Sequence, residues 1–90
     1  MNQSDLIANV ARATGISKSD AERAVKATLN EIGDAIERQE EVNLAGFGTF
    51  RIEHRNARTG RNPQTGEAMD IPAKNVIKFS PGKALRESVN

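Results

Sequence analysis

Residues 55–68 read RNARTGRNPQTGEA, and no Val, Ile, Leu, Met or aromatic side chain occurs among them. The segments on either side are apolar enough to belong to a core, so the reading of this stretch decides the fold. Asn62-Pro63 and Thr65-Gly66 are turn formers, and between Arg55 and Gln64 there are three Arg and no acid. A structureless loop from Glu53 to Ala68 is uncommon inside a small domain. Central turn residues with strand-like flanks predict two strands running outward as a ribbon, roughly ten residues a side and about 30 Å long at the rise of an extended chain.

Before the ribbon, residues 41–54 read EVNLAGFGTFRIEH and alternate as a strand does. Val42 and Leu44 share a face, Gly46 and Gly48 bracket Phe47, and Phe50 and Ile52 resume the alternation with Arg51 and Glu53 opposite. This predicts a hairpin turning at Gly46. After the ribbon, Met69, Ile71, Val76, Ile77 and Phe79 mark a returning strand, with Pro72 placing an edge or bulge within it. Ser80 as an N-cap and Pro81 in the first helical position start a short last helix carrying Ala84, Leu85 and Val89.

The first forty residues have a helical period instead. Asn2 is the predicted N-cap of a helix with Asp5 in its first turn and Leu6, Ile7, Val10 and Ala11 on one face, ending at Gly15. A second helix starts at Ser17 and runs to about Arg38, its apolar face traced by Ala21, Ala24, Val25, Thr28, Leu29, Ile32, Ala35 and Ile36. Gly33 inside it costs ~1 kcal/mol against Ala, which close packing by another backbone would explain. The class is α+β: an N-terminal helical hairpin, a three-stranded antiparallel sheet with a long protruding β-ribbon arm, and a short C-terminal helix.

Ninety residues suit one domain, and Phe47, Phe50 and Phe79 are the only aromatic residues. A core built from so little is thin, and oligomerisation is the usual remedy where disulfides and metals are lacking. The absence of Cys rules out a disulfide or thiolate zinc site and fits a reducing compartment. No apolar run approaches the ~20 residues of a membrane span, and residues 1–9 lack the pattern of a secretory signal. A cytoplasmic protein is expected.

The net charge of +1 conceals a division. Residues 1–50 carry five Lys or Arg against eight Asp or Glu, whereas residues 51–90 carry eight against four. One half is therefore suited to a polyanion. Arg55, Arg58 and Arg61 are spaced to follow a row of phosphates, Ala57 and Gly60 leave room for close approach to a groove, and the ring of Pro63 suits a wedge between base pairs. A solvated Arg-bearing loop with ordinary Pro and Gly turn chemistry accounts for the same residues, so spacing alone leaves both readings open.

Catalysis has no credible constellation. His54 is the only His, read as an outward strand residue or a weak phosphate contact. Glu31, Asp34, Glu37, Glu40 and Glu41 fit a solvated helix face. Gly46-Phe47-Gly48 is followed by no helix, and Pro81-Gly82-Lys83 lacks the spacing of a phosphate loop. A helix start near Lys83 still suits a backbone phosphate. No catalytic residue, metal, cofactor or small-molecule substrate is expected.

The strings GFGTF (residues 46–50), RTGRNPQTGE (58–67) and FSPGKALRESV (79–89) resemble the bacterial histone-like family of HU and integration host factor, over essentially the whole chain. That resemblance implies an intertwined dimer in which helices form a base, two sheets form a saddle and two arms reach around duplex DNA, bending it in the family's known minor-groove manner. It implies one domain over 1–90: a helical dimerisation base at 1–40, sheet at 41–52 and 75–80, a DNA-binding arm at 53–74 and a C-terminal helix at 81–90. By position, Pro63 matches the intercalating tip. Arg55, Arg58 and Arg61 match arm contacts, and Arg51, Asn62, Lys74, Lys83 and Arg86 match further DNA contacts. Phe47, Phe50, Phe79, Leu29, Ile32, Ile36 and Leu44 match the dimer core.

The implied function is architectural: binding double-stranded DNA with little sequence preference, bending and compacting it in the bacterial nucleoid as a homodimer, with no membrane partner. Two alternatives remain: a subunit of an integration-host-factor-like heterodimer, and a protein-interaction module whose arms dock on an acidic partner. Glu67, Asp70 and the neutral Gln3 depart from the more basic members. They imply fewer neutralised phosphates and weaker non-specific affinity.

Overall fold

Local capping chemistry sets the first two elements of the computed structural model, which describes residues 1–90. Helix α1 (Gln3–Thr14) starts where the Asn2 side chain accepts from the Asp5 N–H at 2.9 Å and the Asp5 carboxylate accepts from the Asn2 N–H at 3.1 Å. The reciprocal pair satisfies two donors that an uncapped helix leaves orphaned. It ends at Gly15, whose φ of 75° is the left-handed conformation glycine adopts without strain. Helix α2 (Lys18–Glu37) starts at Ser17, whose Oγ accepts from the Asp20 N–H at 3.0 Å.

The chain divides into two compact units, Met1–Ala35 and Ile36–Asn90. In the first, Ile7, Ala21 and Val25 are buried, with Leu6, Val10 and Ala11 packed against them. These three are the only buried hydrophobic residues in the chain. Leu29, on the same face of α2, is 47% exposed and borders an open apolar groove of about 270 Å³ with Leu6, Val10, Ala24, Val25 and Thr28. The close backbone neighbour expected at Gly33 is not supplied by this chain: a Cβ there would meet nothing within 4 Å.

In the second unit the elements are β1 (Val42–Leu44), β2 (Gly48–Arg55), β3 (Arg58–Arg61), β4 (Ala68–Ile71), β5 (Lys74–Pro81) and α3 (Lys83–Glu87). Strands β1, β2 and β5 form an antiparallel sheet in that order, and β3 pairs with β4 in a separate two-stranded sheet. The hairpin between β1 and β2 turns at Gly46, φ 78°. The ribbon expected to be continuous is broken. Pairing ends at Arg55↔Lys74 and resumes at Arg58↔Ile71, leaving Asn56-Ala57 and Pro72-Ala73 out of the ladder. Pro72 has no N–H to donate, which accounts for the break on its side.

The start of the last helix also differs from the expectation. Ser80 and Pro81 pair with Thr49 and Gly48 at the end of β5, and Gly82 is the N-cap of α3, with no side-chain capping bond. The ladder holds Ser80 extended, and its hydroxyl accepts from Arg51 Nη1 at 2.8 Å instead of capping a helix. Gly82 N–H donates to the Phe47 carbonyl at 2.8 Å, tying α3 to the hairpin turn.

Alternation along the paired strands gives the three-stranded sheet two unlike faces. Val42, Leu44, Phe50, Ile52, Ile77 and Phe79 share one, where the Phe79 ring lies 4.7 Å from that of Phe50 and 5.6 Å from that of Phe47. The chain itself covers this apolar face only in part: Ile77 is 60% exposed, Phe47 48% and Phe79 40%. Of the other residues expected in a dimer core, Ile32, Ile36, Leu44 and Phe50 are half-buried.

Candidate nucleic-acid interface

The other face of the three-stranded sheet carries Thr49, Arg51, Glu53 and Arg55 from β2 against Ser80, Lys78, Val76 and Lys74 from β5. Register therefore sets Arg51 directly opposite Lys78, and Arg55 directly opposite Lys74. Like charges on opposed positions destabilise a sheet. The chain holds two such rungs with one acid between them, and Glu53 Oε1 lies 3.9 Å from Arg55 Nε in an exposed pair of little strength. Arg51 is steadied by its bond to Ser80, while Lys74 and Lys78 have no ion-pair partner. Sequence reasoning missed Lys78. Ile77 and Phe79 on the apolar face already oblige it onto the cationic one.

Where the ribbon breaks, Glu53, Arg55, Asn56, Arg58, Ile71, Pro72 and Lys74 line an open cleft of about 430 Å³. Three cations and one acid border it, so this gap is also electropositive. Beyond it, strand alternation corrects the single row of Arg residues expected from a spacing of three. Arg58 pairs with Ile71 and Arg61 with Ala68, an odd number of residues apart, so they stand on opposite faces of β3. The room expected at Gly60 is filled: a Cβ there would fall 2.8 Å from Ile71 Cδ1.

The tip is a built turn. Asn62 N–H donates to the Glu67 carbonyl at 2.9 Å, Gly66 N–H to the Asn62 carbonyl at 2.7 Å, and Gly66 takes φ 72°. Asn62 Oδ1 accepts from Gln64 N–H at 2.9 Å, closing a side-chain turn around Pro63. Arg61 Nη1 donates to the Gly66 carbonyl at 2.9 Å. Two residues expected to touch DNA, Arg61 and Asn62, thus also hold the turn that leaves Pro63 exposed at its apex.

A cationic sheet face, an electropositive cleft and a hydrogen-bonded, proline-tipped turn share one unit with a partly uncovered apolar face. The sequence profile of the family described as bacterial DNA-binding protein matches residues 1–90. The chain belongs to that family. It is 51% identical over 89 residues to the DNA-binding protein HU of Geobacillus stearothermophilus, covering 99% of each chain. It is 48% identical to HU-alpha of Pseudomonas aeruginosa, covering both chains completely. Among solved structures, the HU of an Anabaena HU–DNA cocrystal superposes with a TM-score of 0.87 at 43% identity, covering 99% of this chain and 97% of that one. HU from Thermotoga maritima gives 0.72 at 31% identity over all of both chains. The helical hairpin, β-ribbon and short last helix are thus the architecture of the HU structures.

Within this bacterial DNA-binding protein, Lys83 and Arg86 stand on α3, three residues apart on one side of it, and make no side-chain hydrogen bond or ion pair. His54 Nδ1 lies 3.0 Å from Asn75 Oδ1 across β2 and β5. In the connection between α2 and β1, the Arg38 guanidinium bonds Glu40 and holds its carboxyl below the usual range. No helix is long and apolar enough to cross a membrane.

Proposed function

We propose that the chain is an architectural protein of the bacterial nucleoid, which as a dimer binds duplex DNA through the minor groove with little sequence preference and bends it. The observation that carries this reading is the pair of like-charged rungs, Arg51 with Lys78 and Arg55 with Lys74. A sheet has no structural use for repulsion between its own strands, and a row of phosphates relieves it. In this reading the four cations and Arg58 neutralise phosphates, Arg61 and Asn62 brace the tip, and Pro63 enters between base pairs as a wedge. Lys83 and Arg86 take backbone phosphates from α3.

Dimerisation follows from the uncovered apolar residues. Leu29, Phe47, Ile77 and Phe79 are 40–60% exposed, and a second copy is the partner that would bury them together with Ile32, Ile36, Leu44 and Phe50. The family is one of DNA-binding architectural proteins and not of enzymes. Residues 1–40 act as the dimerisation base and 53–74 as the arm. Most of the attraction comes from counterion release, so affinity falls steeply with salt, and bending a short site costs of order 1–6 kcal/mol, favouring nicked or flexible duplexes.

A mobility-shift titration with random-sequence duplex over a salt series tests the reading. Binding in dilute buffer that declines linearly in log salt is expected, whereas a protein that leaves duplex unshifted in dilute buffer overturns it.

A further inference from the structure

The two arginines that β2 sends onto the cationic face of the three-stranded sheet are held by chemically different partners. Arg55 lies beside the carboxylate of Glu53, two residues back on the same face, with Nε 3.9 Å from Oε1. Arg51 is equally close to Glu53 in sequence, yet its Nη1 donates to the Ser80 hydroxyl at 2.8 Å. Register explains the choice. Lys78 stands directly opposite Arg51 and repels it, whereas Ser80 is the diagonal neighbour on β5, within reach of a long side chain. Ser80 is itself fixed: it pairs with Thr49 in the ladder, and the chain is pinned again at Gly82, whose N–H donates to the Phe47 carbonyl at 2.8 Å.

We infer that Ser80 is a positioning residue for DNA attachment, holding the Arg51 guanidinium as a preformed phosphate seat on the sheet. This deepens the reading above and rests on it. A hydroxyl oxygen is neutral, so the bond leaves the full charge of Arg51 for a phosphate, and the guanidinium keeps its remaining donors for a forked contact. Glu53 does the opposite at Arg55, whose charge it partly cancels until a phosphate takes the place of the carboxylate. Arg58 has no ion-pair partner and no side-chain bond in the chain, so DNA itself must order it. Ordering a long side chain only on binding lowers affinity by about two- to tenfold, and the bond to Ser80 removes that loss at Arg51.

Fluorescence anisotropy on a labelled random duplex over a salt series tests this with Ser80→Ala, Ser80→Thr, Arg51→Gln and the Ser80→Ala, Arg51→Gln double variant of the full chain. Ser80→Ala is expected to weaken binding about two- to tenfold per copy without changing the slope of log affinity against log salt, because no charge is removed. Arg51→Gln should flatten that slope by ~0.9. Ser80→Thr keeps the hydroxyl and should bind as the parent does, and Ser80→Ala should add nothing once Arg51 is replaced. In the free protein, NMR relaxation of the arginine side chains should find Arg51 more ordered than Arg58, and Ser80→Ala should erase the difference. Additive losses in the double variant, a Ser80→Thr protein no better than Ser80→Ala, or an Arg51 that loosens without weakening attachment each overturn the assignment. Matched melting curves by circular dichroism across the variants set a merely structural effect apart. A parent that orders Arg51 yet leaves duplex unbound fails at the DNA-binding reading, and the role of Ser80 falls with it. A parent that binds duplex with Arg51 as mobile as Arg58 fails at this inference alone.

Discussion

Gly48 lies under the ring of Phe79, so closely that a Cβ on it would fall 2.6 Å from Cζ of that ring and 2.7 Å from the backbone oxygen of Ser80. The ring could tilt away, but the carbonyl belongs to the β5 ladder and cannot yield without breaking it. Gly48→Ala should therefore destabilise the fold by about 1–3 kcal/mol, the usual cost of overpacking. Thermal unfolding followed by circular dichroism would register it as a fall of roughly 4–8 °C per kcal/mol in a domain of this size. An unchanged melting temperature would mean that Phe79 does not sit over Gly48.

The rung of Arg51 and Lys78 makes stability and attachment move in opposite directions. Removing one charge with Lys78→Gln relieves cross-strand repulsion, so the free protein should melt at the same temperature or slightly higher. The same change should weaken duplex binding and flatten its salt slope by ~0.9. Paired melting and anisotropy measurements check both signs, and a variant that loses stability along with binding would contradict the functional account of this rung.

What could be read from the chain alone was what local chemistry decides. Asn2, Gly15 and Ser17 bound the helices because a cap needs only its own three or four neighbours, and Gly46 marks the hairpin for the same reason. Ser80-Pro81 carries an equally good local signal for a helix start, yet pairing with Thr49 and Gly48 overrides it. Lys78, the opposed faces of Arg58 and Arg61, and the filling of Gly60 by Ile71 all depend on register between strands distant in sequence. Alternation within one strand hints at these placements, but only the pairing fixes which residues share a surface.

Acid should act on the connection between α2 and β1. Arg38 Nε donates to Glu40 Oε1 at 3.1 Å, and that bond, followed by the charge of the guanidinium, lowers the Glu40 pKa. A carboxylate whose folded pKa is depressed contributes stability above its unfolded value and loses it as pH falls through the folded one. Carbon-detected NMR titration should find Glu40 titrating below an ordinary Glu, and Arg38→Gln should bring it back up. Identical titration curves in the two proteins would show that the ion pair does not form in solution.

Bending and attachment should separate at the tip. Pro63 is exposed at the apex of a turn held by Asn62 and Arg61, so Pro63→Ala removes a rigid ring while leaving the cationic sheet face and its phosphate contacts in place. If the ring enters between base pairs, it converts part of the binding free energy into unstacking, a few kcal/mol per step. Its loss should then lower the bend angle, read by energy transfer between dyes on the ends of a short duplex, while changing affinity and salt slope far less. Asn62→Ala should reduce the bend in the same direction by loosening the turn that aims the ring, without touching any phosphate-facing cation. A Pro63→Ala protein that bends duplex as fully as its parent would leave the wedge without a role and place all of the bending in the phosphate contacts of the sheet.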